Sequence, residues 1–383
     1  MKFTSKRIVR KAGTMLAIGV VLTGASAQEK SQSQSALPLS DKYFKNVTAL
    51  KGIPVDEFMG AMGLYSAALS MCCGDCHVGA GTDNPDWASD DNPRKVKARQ
   101  MELVVRAINK EHFGGAQAIT CWTCHRGSGS PSVTATMDQI YGEPLAFPSE
   151  VLRQAGPTAG VPTIDQIFDK YVQALGGAAK VAALSSYSAK GEAKAYGPVD
   201  RTDLAEIYAK APGQLTMIVH QRGGDMVRMT DGRQAWVKLP LTVVKQYPLT
   251  GSLLEGGKLD GAMAFPGQIR KYFSNWRVGF PTTIDDKAVW AVQATGSNGL
   301  LATLYFDKQT GLLTRFVRHV NTADGRLPTQ IDYADYRPVA DVMMPFRFTY
   351  DWISGREEYT IGSYQPNAPI ESERFSETAL AAK

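Results

Sequence analysis

Two pentapeptides carry the chemistry that can be read from this chain: Cys73-Gly-Asp-Cys76-His77 and Cys121-Trp-Thr-Cys124-His125. Thiols three residues apart on one helical turn can both reach the two vinyl groups of a haem and form thioethers. The histidine that follows then offers its imidazole to the iron as proximal ligand. Together the motifs use four of the five cysteines and two of the five histidines. We therefore expect two covalent haem c groups per chain, on Cys73 and Cys76 and on Cys121 and Cys124, with His77 and His125 on iron. Three other readings compete. Two CxxC pairs separated by 44 residues could make a four-thiolate zinc site, but zinc leaves both histidines unexplained. A disulfide across two residues is strained and reducible. A thioredoxin-like dithiol belongs in a βαβ setting, which the sequence does not offer. Cys72 is left over, and it is expected to be a buried free thiol.

A haem held by one histidine is capped by methionine, capped by a second histidine, or left open. Methionine favours electron transfer, whereas an open site favours binding or peroxide chemistry. Met59 and Met62 precede Cys73 one helical turn apart, and Met101 lies twenty residues before Cys121. Methionine fills helix cores readily, so spacing alone leaves each candidate open. His112 falls on the same helical stripe as Met101 and Ile108, although a surface histidine is the plainer reading. His220 and His319 stand in strand-like segments and read as structural. The run Arg94-Lys-Val-Lys-Ala-Arg99 reads as a solvated helix face that could also meet haem propionates or an acidic partner.

The elements that hold these residues follow from periodicity. Gly52-Ile-Pro54-Val-Asp-Glu57 opens one helix, with Pro54 at its first position. Asp90-Asp-Asn92-Pro93 opens another that runs to about residue 111. After residue 163 a helix ends at Gly176-Gly177, and alternation of period two takes over. Strands are expected at 186–196, 203–211, 215–221, 225–229, 235–239, 286–295, 301–307, 312–320, 328–336, 344–352 and 357–363, with a helix near 267–276. Hairpin turns fall at 307–311 and at Ser354-Gly355. Such a run of hairpin-linked strands predicts a multidomain chain: a small α-helical dihaem domain, then an α+β domain built on one large curved antiparallel sheet.

The expected boundaries are a signal peptide at 1–27, a flexible lead-in at 28–40, a dihaem domain at 41–130, a linker at 131–162, a β-rich domain at 163–368 and a tail at 369–383. The signal reading rests on a basic start to Lys11, a short apolar run from Met15 to Leu22, and Ala25-Ser-Ala27 before Gln28. No later stretch offers 18 consecutive apolar residues, so no transmembrane span is expected after cleavage, and the place of work is periplasmic. Lys plus Arg is 42 against 37 Asp plus Glu, and five of those cations lie in the first 27 residues, which carry no acid. The remainder is balanced, which gives no support to a nucleic-acid footprint, since that needs a clustered positive excess.

Several stretches resemble the cytochrome c subunit of photosynthetic reaction centres: Lys51-Gly-Ile-Pro-Val-Asp-Glu57-Phe-Met-Gly-Ala-Met62, Ala98-Arg-Gln-Met101 through Asn109, and Cys121-Trp-Thr-Cys-His-Arg-Gly127. That family is a multihaem electron donor outside the membrane, built from a methionine-bearing helix, a turn and CxxCH. The resemblance covers about residues 45–130. It implies that Met62 caps the first haem, with Met59 the fallback, and that Met101 caps the second. Family members in photosynthetic bacteria carry four haems and a lipid-anchoring cysteine; here there are two motifs and no cysteine near the cleavage point. The β-rich half more loosely resembles the LolA-like lipoprotein-carrier half-barrel, through Tyr305-Phe-Asp-Lys-Gln-Thr-Gly-Leu-Leu-Thr-Arg315 and Tyr333-Ala-Asp-Tyr336 through Met344-Pro345.

The expected function is single-electron transfer between redox partner proteins, with no catalytic residue and no enzyme activity. A dihaem peroxidase would instead need an open iron and a distal acid–base group, for which Glu111 or His112 could serve. A third reading gives the β-rich half a lipid or other hydrophobic ligand, with the haem domain an accessory; a rigid docking platform is the duller version of that half.

Overall fold

A computed structural model describes residues 38–141, 160–196 and 201–381. The expected signal peptide, most of the lead-in and most of the linker lie outside the described residues. Eight helices come first: α1 (Ser40–Tyr43), α2 (Val55–Leu69), α3 (Cys73–Cys76), α4 (Pro93–His112), α5 (Cys121–His125), α6 (Met137–Tyr141), α7 (Ile164–Ala174) and α8 (Ala178–Ala183). Then follow β1 (Ser186–Tyr196), β2 (Arg201–Lys210), β3 (Gln214–Gln221), β4 (Gly224–Thr230), β5 (Ala235–Lys238) and β6 (Gln246–Pro248). Two more helices, α9 (Gly251–Met263) and α10 (Pro266–Tyr272), interrupt the strands. The chain returns as β7 (Arg277–Val278), β8 (Thr282–Ile284), β9 (Lys287–Thr295), β10 (Leu301–Asp307), β11 (Leu313–Thr322), β12 (Gly325–Val339), β13 (Val342–Trp352) and β14 (Gly355–Pro366), and α11 (Glu377–Ala381) ends the description.

The strands form one 14-stranded sheet, antiparallel throughout, in the order β6-β5-β4-β3-β2-β1-β14-β13-β12-β11-β10-β9-β7 with β8 on β9. Its first and last long strands, β1 and β14, pair in the middle. The large antiparallel sheet expected from alternation is present, with three more strands than the pattern showed. Those three, β6 to β8, are two or three residues long, too short to alternate. The sheet must curl, because α9 touches β3, β4 and β5 as well as β11. Strands β3 and β11 stand six places apart, about 29 Å in a flat sheet at roughly 4.8 Å per strand. A helix is only about 10–12 Å across.

Helix α9 is what the sheet wraps, and its sequence disguises it. Gly251, Gly256, Gly257 and Gly261 would each cost about 1 kcal/mol against alanine in a free helix. Two of them are needed for contact: Gly256 lies against Val320 and Arg318, and Gly261 against the Gly213 carbonyl and the Thr230 methyl. A bidentate pair then pins the helix to the sheet, with Arg318 donating to Asp260 at 2.7 and 2.8 Å and Tyr350 donating to the same carboxylate at 2.9 Å. This gives a prediction whose sign is the test. Propensity alone says that Gly261→Ala stabilises by about 1 kcal/mol. Backbone-to-backbone crowding says that it destabilises by about 1–3 kcal/mol, and a lower denaturant midpoint is the expected result.

The helical third packs directly on this body. Leu64 of α2 belongs to the main core, and Val55 joins Val244 and Tyr247 in a smaller cluster. Asp56, expected as a first-turn helix acid, is buried and accepts from the Thr250 N–H (2.6 Å) and hydroxyl (2.9 Å), at the residue that precedes α9. Glu57 accepts from the Ala323 N–H at 2.9 Å. Both acids of the Pro54-Val-Asp-Glu57 motif therefore tie the helix to the sheet.

Candidate haem sites

In the first motif, Ser70 turns left-handed (φ 53°) to end α2 and bring Met71 and Cys72 round. Cys72 caps α3, its N–H donating to Asp75 Oδ2 at 2.8 Å. Cys73 and Cys76 thus sit on one turn, and the His77 N–H continues it by donating to the Cys73 carbonyl at 2.8 Å. The N-terminus of α4 holds this turn from outside. Asn92 donates to the Asp75 carbonyl at 2.9 Å, and Arg94 pairs with the Asp75 carboxylate. Cys72 is exposed, not buried as its sequence neighbourhood suggested, because a cap residue stands outside the turn it starts.

His77 lies beside Trp87, ring centroids 5.3 Å apart. Lys95, only 9% exposed, shapes the loop around it by donating to the carbonyls of Trp87 (2.8 Å) and Ser89 (2.7 Å). Arg99 pairs with Asp90 at 2.6 Å and Lys95 with the same acid at 3.7 Å. Much of the basic run read as a solvated face is therefore engaged, and it organises the first motif. Burial pushes the His77 imidazole below the usual histidine range, and Lys95 and Arg99 add to the shift. A neutral ring is the form that can bind metal.

The second motif repeats the construction. Thr120 caps α5, its N–H donating to the Thr123 hydroxyl at 3.0 Å, and Cys121, Cys124 and His125 fill the short helix. The buried Asn109 side chain clamps the approach to it, donating to the Ile119 carbonyl (2.8 Å) and accepting from Ala118 (3.2 Å) and Ile119 (3.0 Å). His125 Nδ1 lies 2.9 Å from the Ser128 carbonyl. A carbonyl only accepts, so Nδ1 carries the proton and Nε2 is left bare for a metal. Arg126 and Gly127 follow in the left-handed region (φ 52° and 83°), and this bend brings the Gly127 N–H to the Ala68 carbonyl of α2 at 2.9 Å. The two motifs interlock: α2 packs on α5, and α3 on α4.

Burial raises the thiols of Cys73, Cys76 and Cys121, the last to about 11. Redox-active dithiols have depressed values, so the direction is wrong for a thioredoxin-like pair. Among the described residues no three His, Cys, Asp or Glu side chains converge as a metal site, and the two cysteine pairs stand separately.

The candidate distal ligands also separate. At about 100° per residue, Met62 falls roughly opposite Gly60, which presses against Leu327, and about 100° from Gly63, which presses against Ile353. Met59 instead packs against the Val55, Val244 and Tyr247 cluster. Met101 is half-buried on α4, on one stripe with Val104, Val105 and Ile108; His112 is exposed at the end of that stripe. Apolar side chains stand exposed near the second motif: Val104 at 46%, Phe113 at 47% and Trp122 at 49%.

One group escaped the sequence reading. Glu102, 3% exposed, accepts from the Tyr65 hydroxyl at 2.8 Å and pairs with Arg106, which reaches on to Asp324 at 2.8 Å. Burial, helped by Glu102, pushes the Asp324 carboxyl up to about 7. No local pattern could show this, since Arg106 and Asp324 are 218 residues apart in sequence.

Residues 19–161 match the family described as the photosynthetic reaction centre cytochrome C subunit. Among curated proteins, the chain is 35% identical over 111 residues to the photosynthetic reaction center cytochrome c subunit of Thermochromatium tepidum, covering 28% of this chain and 26% of that protein. It is 32% identical over 98 residues to the subunit of the same name from Rubrivivax gelatinosus, covering 24% and 25%. The match spans about a quarter of the length of these relatives, and the resemblance read from the motifs is borne out over the helical third. Solved structures with a similar fold include a LolA superfamily protein from Nitrosomonas europaea (14% identity, 57% of this chain, 100% of that one, TM-score 0.37). Another is a DUF1329 family protein from Desulfovibrio piger (12% identity, 57% and 98%, TM-score 0.39).

Proposed function

We propose that this chain, whose helical third matches the reaction-centre cytochrome c family, is an exported electron carrier with two covalent haems. Cys73 and Cys76 hold the first and Cys121 and Cys124 the second, His77 and His125 are the proximal ligands, and Met62 and Met101 the distal ones. The observation that carries the reading is the shared build of the two motifs. In each, a capped turn places both thiols three residues apart, with a histidine next along. Haem iron, when bound, supplies a one-electron couple whose potential the protein sets through axial ligand, burial and hydrogen bonds.

The chain's own residues supply the rest. The Ser128 carbonyl fixes the His125 tautomer and makes its Nε2 a stronger donor. Trp87, held by Lys95, packs against His77. Val104, Phe113 and Trp122 are exposed apolar side chains on α4, just after it and on α5, of the kind that could cover a macrocycle. Met62 and Met101 each stand half-buried on the helix that precedes their motif, and Met62, unlike Met59, is not packed on the Val55, Val244 and Tyr247 cluster.

Nothing comparable supports the peroxidase reading, since Glu111 and His112 are both exposed at the end of α4. The hydrophobic-ligand reading fares no better. The cavity inside the curled sheet, lined by Tyr171, Tyr187, Tyr333 and Tyr336 among others, has a volume of about 90 Å³. Ligand sites usually measure about 300–1,000 Å³, so the β-rich half is better read as a rigid platform. Among the described residues no helix is long and apolar enough to cross a membrane. The test is carbon monoxide. The reduced protein should show no shift of its haem bands under the gas, because both irons carry two protein ligands; ready binding at either haem would contradict the assignment.

A further inference from the structure

The hairpin tip between β11 and β12 leaves the sheet and enters the helical third. Its Ala323 N–H donates to Glu57 of α2, its Thr322 carbonyl accepts from Gln117 at 2.9 Å, and its Asp324 accepts from Arg106 of α4. Asp324 and Glu102 thereby share one guanidinium in a nearly dry place, their side chains 4% and 3% exposed, and the second Asp324 oxygen has no hydrogen-bond partner. Above about pH 7, where Asp324 gives up its proton, two acids and one cation leave a negative excess. It lies against the second motif: Gly325 of the hairpin abuts Thr120, the residue that caps α5, and the charges of Glu102 and Asp324 both reach Cys121.

The first motif sits in the opposite field. Lys95, which holds the Trp87 loop beside His77, and Arg99 both act on that ring; the half-exposed Asp90 pairs with both, and Asp86 also acts on Lys95. The imidazoles differ as well. His125 donates from Nδ1 to the Ser128 carbonyl, whereas His77 Nδ1 is buried without a well-formed bond. The Trp87 carbonyl lies close to His77 but already accepts from Lys95, so any bond from the ring to it is shared. A hydrogen-bonded imidazole is the more basic ligand and favours ferric iron. Negative charge nearby favours ferric iron too, and positive charge favours ferrous iron.

Resting on the two-haem reading, we infer that the haems are unequal, that the one on Cys121 and Cys124 has the lower potential, and that the β11–β12 hairpin sets the difference by delivering Asp324. One electron then moves downhill within the chain, oxidising the second haem and reducing the first, with no proton or bond exchanged. The β-rich half thus tunes the helical third as well as supporting it, and a donor docks nearer the second motif, an acceptor nearer the first.

Stepwise reduction of the purified holoprotein at pH 8, followed by proton NMR, tests this. Contacts to Trp87 or Trp122 assign each haem. The haem beside Trp87 should be reduced first. Asp324→Asn should raise the potential of the haem beside Trp122 by at least tenfold in its reduction equilibrium, about 59 mV for one electron. The other haem should move much less, and Asp335→Asn, at an exposed turn of β12, should move neither. The reverse order of reduction, equal potentials, or an Asp324→Asn protein with an unmoved second haem would each overturn the inference. If that variant does not fold, the order in the unaltered protein still decides. A preparation that carries fewer than two haems would overturn the two-haem reading, and this inference with it, and is told apart by its spectrum and mass.

Discussion

Met62→Ala and Met101→Ala should each lower the potential of one haem and leave both covalently attached. A thioether sulfur is a soft ligand that favours ferrous iron, and axial ligands move haem potentials over as much as about 0.8 V. Loss of one methionine should therefore exceed a tenfold change in the reduction equilibrium of its own haem, more than about 59 mV. The other haem should hardly respond. Attachment should survive, because the thioethers depend on Cys73, Cys76, Cys121 and Cys124. The informative contrast is Met59→Ala. Met59 packs against Val55, Val244 and Tyr247, so its loss should cost roughly 2 kcal/mol of stability, the low end for a half-buried methionine, and leave both potentials in place. Redox titration of the three variants separates the cases. If Met59→Ala moves a potential and Met62→Ala does not, the fallback is the true ligand; if none of the three does, the distal assignments fail.

Arg106→Ala should be the most damaging single change to the junction between helices and sheet. It removes the one cation that answers Glu102 and Asp324, both nearly dry. Breaking a buried pair from one side typically costs about 3–5 kcal/mol, because the partner stays behind as an unpaired charge. The sign of the pH dependence follows from the carboxyls. Burial keeps the proton on Asp324 to about pH 7, well above the ordinary aspartate range. Without Arg106 its folded value rises further, so above about pH 7 the variant's native state keeps a proton that the unaltered protein releases. The loss should therefore be steady in mild acid, where both proteins hold the Asp324 proton, and grow as pH rises through 7. Urea unfolding of both proteins at pH 5 and pH 8 measures it. An equal loss at the two values would mean that Arg106 acts through packing and not through charge.

What the sequence made legible divides along physical lines. The CxxCH motifs, the start of α4 at Asn92-Pro93 and strands such as β1 and β10 are local: each depends on residues a few positions apart, and each lies where its pattern placed it. Met62 could be preferred over Met59 only by the resemblance; the structure adds a reason, the cluster that occupies Met59. Helix α9 hid behind four glycines whose purpose is contact with the strands around it. The network of Tyr65, Glu102, Arg106 and Asp324 joins α2, α4 and a hairpin tip from distant parts of the chain. A buried glutamate on an otherwise solvated helix is invisible until the hairpin that buries it is in place. The same holds for Asp56 and Glu57, which read as ordinary first-turn acids and turn out to grip Thr250 and Ala323.

Iron porphyrin bonded to the chain at two places is tested most directly by intact-mass spectrometry of the matured, exported protein, with a pyridine haemochrome assay on the same sample. The expected result is a mass equal to the processed polypeptide plus two haems, with a haemochrome spectrum typical of two saturated vinyl groups on each. A colourless protein weighing no more than its polypeptide would contradict it.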